Sequence, residues 1–489
     1  MTTCKPSASA RRMLTGTVVL CSFMIAADEA NAGVNSSSCP LNAIAIQPGA
    51  SIQATVDLAG DGAAFCLKNG IHRAQVVRPR PKQRFYGEGQ TVLNGSRLLT
   101  GFRREEAYWA VSSQLQRRPE HGECLPSAPV CNQPEALFID DRPLTRVSSR
   151  GGLATGKFYI DYAGDRIYLV DDPTNRKVEV TVAPFAFEGA APEVSISNMT
   201  VEKFATAAQT GAIYAMDGAR WAIENCEVRL NSGHGISVGT GSRVRNCDVH
   251  HNGQLGIGGK GDAIRIEGNR IWSNNMYGFD PGWEAGGVKI AESDGVAFRG
   301  NHVHDNNGPG LWCDGDCRNV VYEGNLVENN QWNGIFHEIS FKAVVRNNVL
   351  RHNDRGTRGW FWSAEILLAA SQDIEVSGNT LVIVPGTCGI MLLDQGRNDN
   401  GRKYKTRNNT IRANEMTFEG AACAGGVSDT KPDDENFAII TDGNNRFDSN
   451  TYRVARPSEP ARFVWGHTVT DWDGFRRRGL EKNGRLIPY

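Results

Sequence analysis

Four related stretches of sequence decide the fold: IEGNRI at 266–271, FRGNHV at 298–303, YEGNLV at 322–327 and VRNNVL at 345–350. Each has an apolar residue at both ends and an asparagine at its fourth position. The same phrase recurs as ISNMTV, IENCEV, VRNCDV, VSGNTL and TRNNTI. The aligned fourth positions are 21 to 32 residues apart and hold Met199, Cys226, Cys247, Asn269, Asn301, Asn325, Asn348, Asn379 and Asn409.

A period in the low twenties with occasional insertions is typical of one coil of a solenoid. Each coil carries short strands with alternating Val, Ile or Leu, which a single coil cannot bury. Stacking the coils makes parallel strands around one continuous core, and asparagines at equivalent turns can bond to one another along the stack. The sequence therefore predicts an all-β, right-handed parallel β-helix with about nine coils between residues 190 and 410.

The remaining sequence divides around this repeat. The stretches LFIDDRPLTRV, GKFYIDYAGDRIYLVDD and VEVTVAP have the turn pattern of β-hairpins. After about residue 415 the repeat fades toward a segment typical of a cap. We predict a signal peptide over 1–32, the start of the β-helix over 33–103, a β-rich insertion over 104–186, the repeats over 187–414 and a small C-terminal cap over 415–489.

The N-terminus has the features of a secretory signal. Lys5, Arg11 and Arg12 precede a short apolar stretch over 13–27, and Ala30-Asn31-Ala32 is a small-x-small cleavage site. Cleavage near Gly33 predicts a secreted or periplasmic protein. No later stretch is long enough for a membrane span.

Charge and cysteine content narrow the function classes. The chain has 53 Lys and Arg against 54 Asp and Glu, so it lacks the basic footprint of a nucleic-acid-binding protein. Of twelve cysteines, ten remain after Cys4 and Cys21 leave with the signal, an even number that suits an oxidising compartment. Proximity suggests the disulfides Cys39–Cys66, Cys124–Cys131, Cys313–Cys317 and Cys388–Cys423. Cys226 and Cys247 are either a fifth disulfide or two small buried residues, and we expect at most two free thiols.

Candidate chemistry lies on three consecutive coils. Alternation in GVKIAES (287–293), GLWCDGD (310–316) and GIFHEIS (334–340) places Lys289, Trp312 and Phe336 in one outward stack. Asp314 and Glu338 fall side by side in a second outward stack. Because close carboxylates push their pKa values apart, such a pair can supply the acid and the ionised partner that a glycosidase needs. With Glu284 just before these strands, Asp314, Glu338, Lys289 and Glu284 are the candidate catalytic residues.

Aromatic residues cluster in the same region. Five of the ten tryptophans lie within 80 residues, and indole rings stack on the apolar faces of sugars. Exterior charges are often merely solvated, and tryptophans also cover coil edges, so structural roles are the alternative. His337 alternates inward and is therefore also explained as a core residue. The candidate substrate contacts are Trp283, Trp312, Trp332, His337, Asp316, Trp360 and Trp362.

The segment 283–340 resembles a family of exported bacterial right-handed parallel β-helix repeat proteins. The similarity extends over about residues 190–400 and is most specific at EAGGVK (284–289), GPGLW (308–312) and FHEIS (336–340). That family belongs to the pectate-lyase-like superfamily of polysaccharide lyases, polygalacturonase-type hydrolases and alginate epimerases. The resemblance implies a β-helix and a polysaccharide or oligosaccharide substrate.

Narrower resemblances are incomplete. YGFDP (277–281) is similar to the strand before the acid–base motif of mannuronan epimerases, but Gly282 and Trp283 replace that pair. Glu284 and Lys289 resemble the Glu and Lys of chondroitinase-B-like and alginate lyases, which implies Lys289 as base and calcium on a carboxylate. The matching arginine is missing, because Arg299 aligns beside a turn.

Three functions remain open from the sequence. A glycosidase with Asp314 and Glu338 is favoured, because the predicted face is mixed or acidic apart from Lys289, whereas a uronate substrate favours a basic groove. A uronate lyase or epimerase with Lys289 as base is the first alternative. A non-catalytic glycan-binding or structural solenoid is the second. We expect no cofactor, with calcium only in the lyase case, and no metal site.

Overall fold

The computed structural model describes residues 39–112, 120–354, 358–359, 361–399, 401–455 and 462–488. The predicted signal peptide, with its cleavage site, lies outside these residues. Three long parallel sheets wind along one axis, and each coil contributes one strand to each sheet in turn. The predicted parallel β-helix is thus confirmed.

Sheet 1 and sheet 2 are joined in each coil by the turn that carries the repeated phrase. In the described residues sheet 1 contains Ile44–Ile46, Ala64–Leu67, Arg84–Gly87, Ser195–Ser197, Ala222–Glu224, Arg243–Arg245, Arg265–Glu267, Ala297–Arg299, Val320–Glu323, Phe341–Arg346, Gln372–Ser377, Thr410–Arg412 and Arg446–Asp448. Sheet 2 contains Gly70–Arg73, Thr91–Asn94, Thr200–Glu202, Glu227–Arg229, Asp248–His250, Arg270–Trp272, His302–His304, Leu326–Glu328, Val349–Arg351, Thr380–Ile383, Glu415–Phe418, Thr451–Val454 and Arg485–Pro488.

Sheet 3 carries the candidate site and follows the glycine of each repeat. A side chain at Gly310 would meet the Gly334 carbonyl oxygen at 2.7 Å and Asn330 Nδ2 at 3.0 Å, which explains why glycine precedes these strands. The strands of sheet 3 are Phe187–Glu188, Gly211–Tyr214, His234–Val238, Leu255–Lys260, Gly286–Ala291, Leu311–Asp314, Ile335–Glu338, Ala364–Ala369, Cys388–Asp394, Cys423–Ser428 and Arg462–Gly466, with Thr468–Thr470 added antiparallel.

Buried asparagines bond along the stack in two main ladders, with Nδ2 to Oδ1 distances of 2.8 to 3.0 Å. The repeated phrase predicts the first of these ladders, but it wrongly includes Asn409. Asn379 bonds to Asn414 at the next position of the ladder, not to Asn409. Asn409 lies one turn earlier and bonds to Asn445. Ladder 1 is Asn269, Asn301, Asn325, Asn348, Asn379, Asn414 and Asn450, ending on Glu481; ladder 2 is Asn231, Asn252, Asn274, Asn306, Asn330 and Asn353, ending on Glu365.

The insertion leaves the β-helix between strands Thr91–Asn94 and Thr200–Glu202, which pair directly. Its first strand starts at residue 96 rather than 104, because that strand pairs with Val178–Thr181. Two small sheets enclose a separate apolar core. One contains Arg142–Pro143, Leu137–Ile139, Val178–Thr181 and Ser96–Leu98; the other contains Thr145–Arg146, Lys157–Asp161, Arg166–Leu169, Tyr108–Ser112 and Arg103–Glu105.

The ends of the β-helix differ from the sequence boundaries. Coil strands continue beyond residue 414, so the predicted cap over 415–489 is largely β-helix. The repeat is harder to recognise there because loops of variable length separate the strands. Helix Ile52–Leu58 packs at the N-terminal end and helix Trp472–Arg477 at the C-terminal end. Short elements complete the described chain: helices Pro281–Glu284 and Ile439–Asp442, the 3-10 helix Arg150–Gly152 and the hairpin Asn398–Asp399 with Arg402–Lys403.

Three of the predicted disulfides are present, namely Cys39–Cys66, Cys124–Cys131 and Cys388–Cys423. The predicted bond between Cys313 and Cys317 is wrong, since both are free thiols inside the core. Burial raises the pKa of Cys313 well above its usual value, which disfavours the thiolate that disulfide formation requires. The described residues contain four buried free thiols, so the expected maximum of two is wrong. The four are Cys226, Cys247, Cys313 and Cys317.

The described helices are all short. None has both the length and the apolar character that crossing a membrane requires.

Candidate functional site

The strands of the candidate site have the predicted register. Val288, Leu311 and Ile335 pair in series and face the interior, where at most 1% of each is exposed. Asp314 and Glu338 pair directly on adjacent strands. Side chains alternate along a strand, so both carboxyl groups face outward and lie one coil apart, about 4.8 Å along the stack.

Lys289 is bound by two carboxylates. Its Nζ lies 2.9 Å from Asp314 Oδ2 and 3.6 Å from Glu284 Oε2. It also lies 4.0 Å from the centre of the Trp312 ring and donates a hydrogen bond to the Trp283 carbonyl oxygen. Only 8% of the lysine is exposed, so these contacts hold the ammonium group in one place.

Glu284 ends the helix Pro281–Glu284, whose first turn is capped by the side chain of Asp280. Burial by itself raises the pKa of Glu284. The interaction with His234, the charge of Lys289 and a hydrogen bond from Gln209 act in the opposite direction and outweigh burial. Together they lower the pKa of Glu284 to about 2. His234 Nε2 lies 3.4 Å from the carboxylate. Glu284 is therefore ionised over the whole pH range in which proteins are normally active.

Glu338 has the opposite character. Burial, together with the negative charge of Asp314, raises its pKa to about 7, although Arg397, Lys289 and Arg358 act against this shift. Only 8% of Glu338 is exposed, and its ion-pair contact is the distant one of 3.8 Å to Arg397. At neutral pH a substantial fraction of Glu338 carries a proton, whereas Glu284 does not.

Aromatic side chains surround the carboxylates. Trp283 is half-buried and packs edge-on against His121, with ring centres 5.4 Å apart. The guanidinium of Arg358 lies over the rings of Trp332 and Trp362, at 3.8 and 5.1 Å. Trp283, Trp332 and Trp362 are each partly exposed, and their role in binding a substrate stays a prediction.

Other predicted substrate contacts are differently placed. Trp312 does face outward, but it is only 3% exposed beneath Lys289 and stacks on Phe336. Asp316 accepts a hydrogen bond from Tyr404 and forms an ion pair with Arg402, so the hairpin over 398–403 occupies it. The predicted contact Trp360 lies outside the described residues.

His337 is not a substrate contact. It is fully buried inside the β-helix, with Nδ1 3.2 Å from the hydroxyl of Tyr322 and Nε2 3.4 Å from the Phe341 carbonyl oxygen. Burial lowers its pKa to about 4, so the ring is neutral under ordinary conditions. Inward alternation in GIFHEIS is the physical reason, and it excludes the binding role.

Several residues at the site were not found from the sequence. Gln209 and His234 come from earlier coils, His121 from the insertion, and Arg358 and Arg397 from long loops between strands. No repeat phrase aligns them with the carboxylates. The two arginines make the face more basic than the sequence predicts.

Metal ligands do not cluster in the described part of the chain, where no group of three or more His, Cys, Asp or Glu side chains is arranged to hold an ion. The calcium dependence expected of a lyase stays a prediction.

The three stacked parallel sheets define this chain as a right-handed parallel β-helix protein. Residues 210–381 match the family model described as the right-handed β-helix region. No curated protein sequence matches the chain significantly.

Solved structures share the fold at low identity. XylC in complex with xylose is 15% identical, with a TM-score of 0.59 over 90% of this chain and 82% of that one. The A-module of the Azotobacter vinelandii mannuronan C-5 epimerase AlgE6 is also 15% identical, with a TM-score of 0.51 over 90% of this chain and 94% of that one. At this identity the likeness establishes the fold alone.

Proposed function

We propose that this chain is an exported carbohydrate-active enzyme that hydrolyses glycosidic bonds of a polysaccharide or oligosaccharide. The observation that carries the proposal is the outward pair of Asp314 and Glu338 on adjacent strands, with Lys289 bound to Asp314 but not to Glu338. The two carboxyl groups therefore have different electrostatic environments although they are neighbours. Glycoside hydrolysis needs this combination of one protonated and one ionised carboxyl group.

The roles follow from the contacts. Glu338 donates its proton to the oxygen of the leaving sugar, since burial and Asp314 keep it protonated near neutral pH. Asp314 is the ionised partner, either activating water or stabilising the positive charge that develops on the sugar. Lys289 and Glu284 position Asp314 through the chain of ion pairs.

Sugar rings would bind along the bordering aromatic residues. Trp283, Trp332 and Trp362 are partly exposed around the carboxylates, and indoles stack on the apolar faces of sugars. The XylC structure contains xylose. That likeness supports a saccharide ligand on the same fold without naming the sugar.

A uronate lyase or epimerase is the second candidate. Arg358 and Arg397 lie near Glu338 and would bind a sugar carboxylate, which favours this reaction. Against it, two ion pairs hold the Lys289 ammonium, and an ammonium group has no lone pair with which to abstract a proton. The hydrolase is therefore preferred.

The first experiment incubates the purified protein with a panel of neutral and acidic glycans. Hydrolysis gives new reducing ends without absorbance near 235 nm, whereas a lyase gives that absorbance. With the active glycan, Asp314→Asn and Glu338→Gln should each lower kcat by about 10²–10⁴-fold, the usual contribution of general acid–base catalysis. Lys289→Ala removes the cation that positions Asp314, so in a hydrolase it should lower kcat without abolishing turnover, whereas in a lyase it removes the base and abolishes turnover.

Glu292→Gln is the matched control. Glu292 is a largely exposed carboxylate at the end of the same sheet, paired with Lys260. The Glu292→Gln variant should retain the kcat of the wild type. Near-normal turnover by both the Asp314 and Glu338 variants contradicts the assigned roles, and a 235 nm product contradicts the hydrolase.

Export is part of the proposal. The signal-like N-terminus and the three disulfides are both expected of a protein that folds in an oxidising compartment. Mass spectrometry of the secreted chain tests it, with a mature N-terminus expected near Gly33.

A further inference from the structure

A cavity separate from the carboxylate site lies between the insertion and the β-helix. Its volume is about 230 Å³. One wall comes from the insertion strands and the loop closed by the disulfide Cys124–Cys131, and the opposite wall from residues 276–278 of the β-helix. Pockets for drug-sized ligands usually measure about 300–1,000 Å³, so this cavity has room for a smaller molecule.

The cavity is lined by a buried carboxylate of which only one oxygen accepts a hydrogen bond. Glu135 is 4% exposed, and its Oε2 accepts a hydrogen bond of 2.6 Å from the Tyr162 hydroxyl. Its Oε1 is buried without a hydrogen-bond partner among the described residues. A buried acceptor left unpaired destabilises the folded chain, and a ligand with a hydrogen-bond donor would remove this cost.

The surrounding charges select a neutral ligand. Arg146 lies 3.7 Å from Glu135 Oε2, which offsets the negative charge and disfavours a cationic ligand. The guanidinium is already engaged by the carbonyl oxygens of Gln133 and Glu135 and by the Tyr162 hydroxyl. An anionic ligand would thus compete with four existing contacts of a side chain that is only 9% exposed.

The lining combines apolar and hydroxyl groups. Pro143, Leu144 and Met276 supply apolar surface, while Ser127 and Thr145 supply hydroxyl groups. A sugar ring matches this lining, since it has apolar C–H faces and hydroxyls that both donate and accept. The Pro134 carbonyl oxygen, next to Glu135, is bonded by the hydroxyl groups of Ser232 and Thr181, so the wall is fixed to the coils.

We propose that this cavity is a second saccharide site, which binds one neutral sugar unit through a hydroxyl group donated to Glu135 Oε1. Neither of the paired carboxylates, Asp314 and Glu338, lines the cavity. Binding here is independent of the proposed hydrolysis, because the cavity lacks Asp314 and Glu338. The two proposals can therefore fail separately.

The test is direct binding of D-glucose, D-xylose and D-mannose to the full mature protein, measured by saturation-transfer NMR and calorimetry. D-Glucuronate and D-glucosamine serve as charged probes. The Asp314→Asn variant provides the background, so that binding at the carboxylate site and turnover do not obscure the result. We expect at least one neutral sugar to bind and both charged probes to bind more weakly.

Two variants locate the site. Glu135→Gln should weaken binding by about tenfold, equivalent to about 1.4 kcal/mol, and Ala128→Leu should weaken it further by filling the cavity. Glu106→Gln, an exposed carboxylate of the same insertion, should bind like the background. Melting temperatures confirm that the variants fold.

Three outcomes overturn the proposal. They are no binding of any neutral sugar, unchanged affinity in both cavity variants, and preferential binding of a charged probe. If Glu135→Gln fails to fold, the affinity of Ala128→Leu tests the proposal by itself. Weaker binding supports the site, and unchanged binding overturns it.

Discussion

At the scale of single residues, neighbours with the same chemical group have different environments. Glu284 and Glu338 both lie near Lys289, yet the pKa of the first is lowered to about 2 and that of the second is raised to about 7. Burial raises the pKa of both carboxyl groups, but His234 and Lys289 outweigh it at Glu284, whereas the negative charge of Asp314 adds to it at Glu338. A protonated acid beside ionised carboxylates is the electrostatic basis of the proposed reaction.

Glu338 makes a pH-dependent contribution to stability with a definite sign. Its pKa is about 7 in the folded chain against an ordinary value near 4.5, so the folded state binds the extra proton between these values. The contribution of Glu338 to the free energy of unfolding is fully present below about pH 4.5 and is lost as the pH rises through about 7. The loss is at most about 3 kcal/mol. Glu338→Gln should therefore gain stability relative to wild type between pH 5 and pH 8.

Urea unfolding at both pH values measures this change, with Glu292→Gln as control. A pH-independent difference between Glu338→Gln and wild type would show that the carboxyl group titrates normally. For the active glycan, kcat/KM of the wild type should fall above about pH 7 as the general acid loses its proton.

At the scale of elements, the Asn ladders stabilise the turns between strands. Asn330 is fully buried, donates to Asn353 Oδ1 and the Val303 carbonyl oxygen, and accepts two bonds from Asn306. Because every ladder residue both donates and accepts, the last one needs a terminal acceptor. Glu365 and Glu481 supply it at the ends of the two ladders.

Breaking a ladder in its middle should be costly. Asn330→Ala removes both side-chain donor bonds and takes the acceptor from the backbone N–H and one Nδ2–H of Asn306, so we expect a loss of about 2–4 kcal/mol in unfolding free energy. Gln331→Ala is the control, since Gln331 is exposed on the same turn. Equal stability of the two variants in urea unfolding contradicts this role of the ladder.

At the scale of the whole molecule, the insertion is held to the β-helix by a buried charge cluster. Lys203 is fully buried and contacts Glu179 Oε2 and Asp141 Oδ1, both at 2.5 Å. Glu179, also fully buried, binds Arg73 at 2.7 Å. The insertion therefore presents the cavity wall and the segment with His121 at fixed positions.

Removing the central cation should destabilise this junction. Lys203→Met leaves Glu179 buried with one cation fewer, and breaking a buried pair in this way costs about 3–5 kcal/mol. Lys177→Met is the matched control, because Lys177 is partly exposed and should cost at most about 1 kcal/mol. Hydrogen exchange should quicken in the insertion of the Lys203 variant; protection equal to wild type counts against this role.

The thiol content is a second molecular prediction. Titration of the mature chain, unfolded without reductant, should give four reactive thiols, because Cys226, Cys247, Cys313 and Cys317 are free. The native protein should react slowly, since all four are buried. Two or fewer thiols after unfolding would mean that a further disulfide forms.

The sequence by itself determined the coils, the strand register and three of the four suggested disulfides. Strand alternation and coil stacking are short-range periodicities, so the phrase around Asn301 and Asn325 predicts which side chains face outward. Asp314 and Glu338 could be paired on this basis. The same alternation predicts that His337 points into the β-helix. The structure shows it fully buried there, which excludes contact with a substrate.

Only the tertiary structure decided what covers the outward face. His121, Arg358 and Arg397 reach the carboxylates through loops and the insertion, whose paths have no period in the sequence. The structure also buried Cys313 and Cys317 as thiols, although their spacing suggested a disulfide. The physical reason is that burial, charge and the pKa of Glu338 depend on residues brought together from distant parts of the chain.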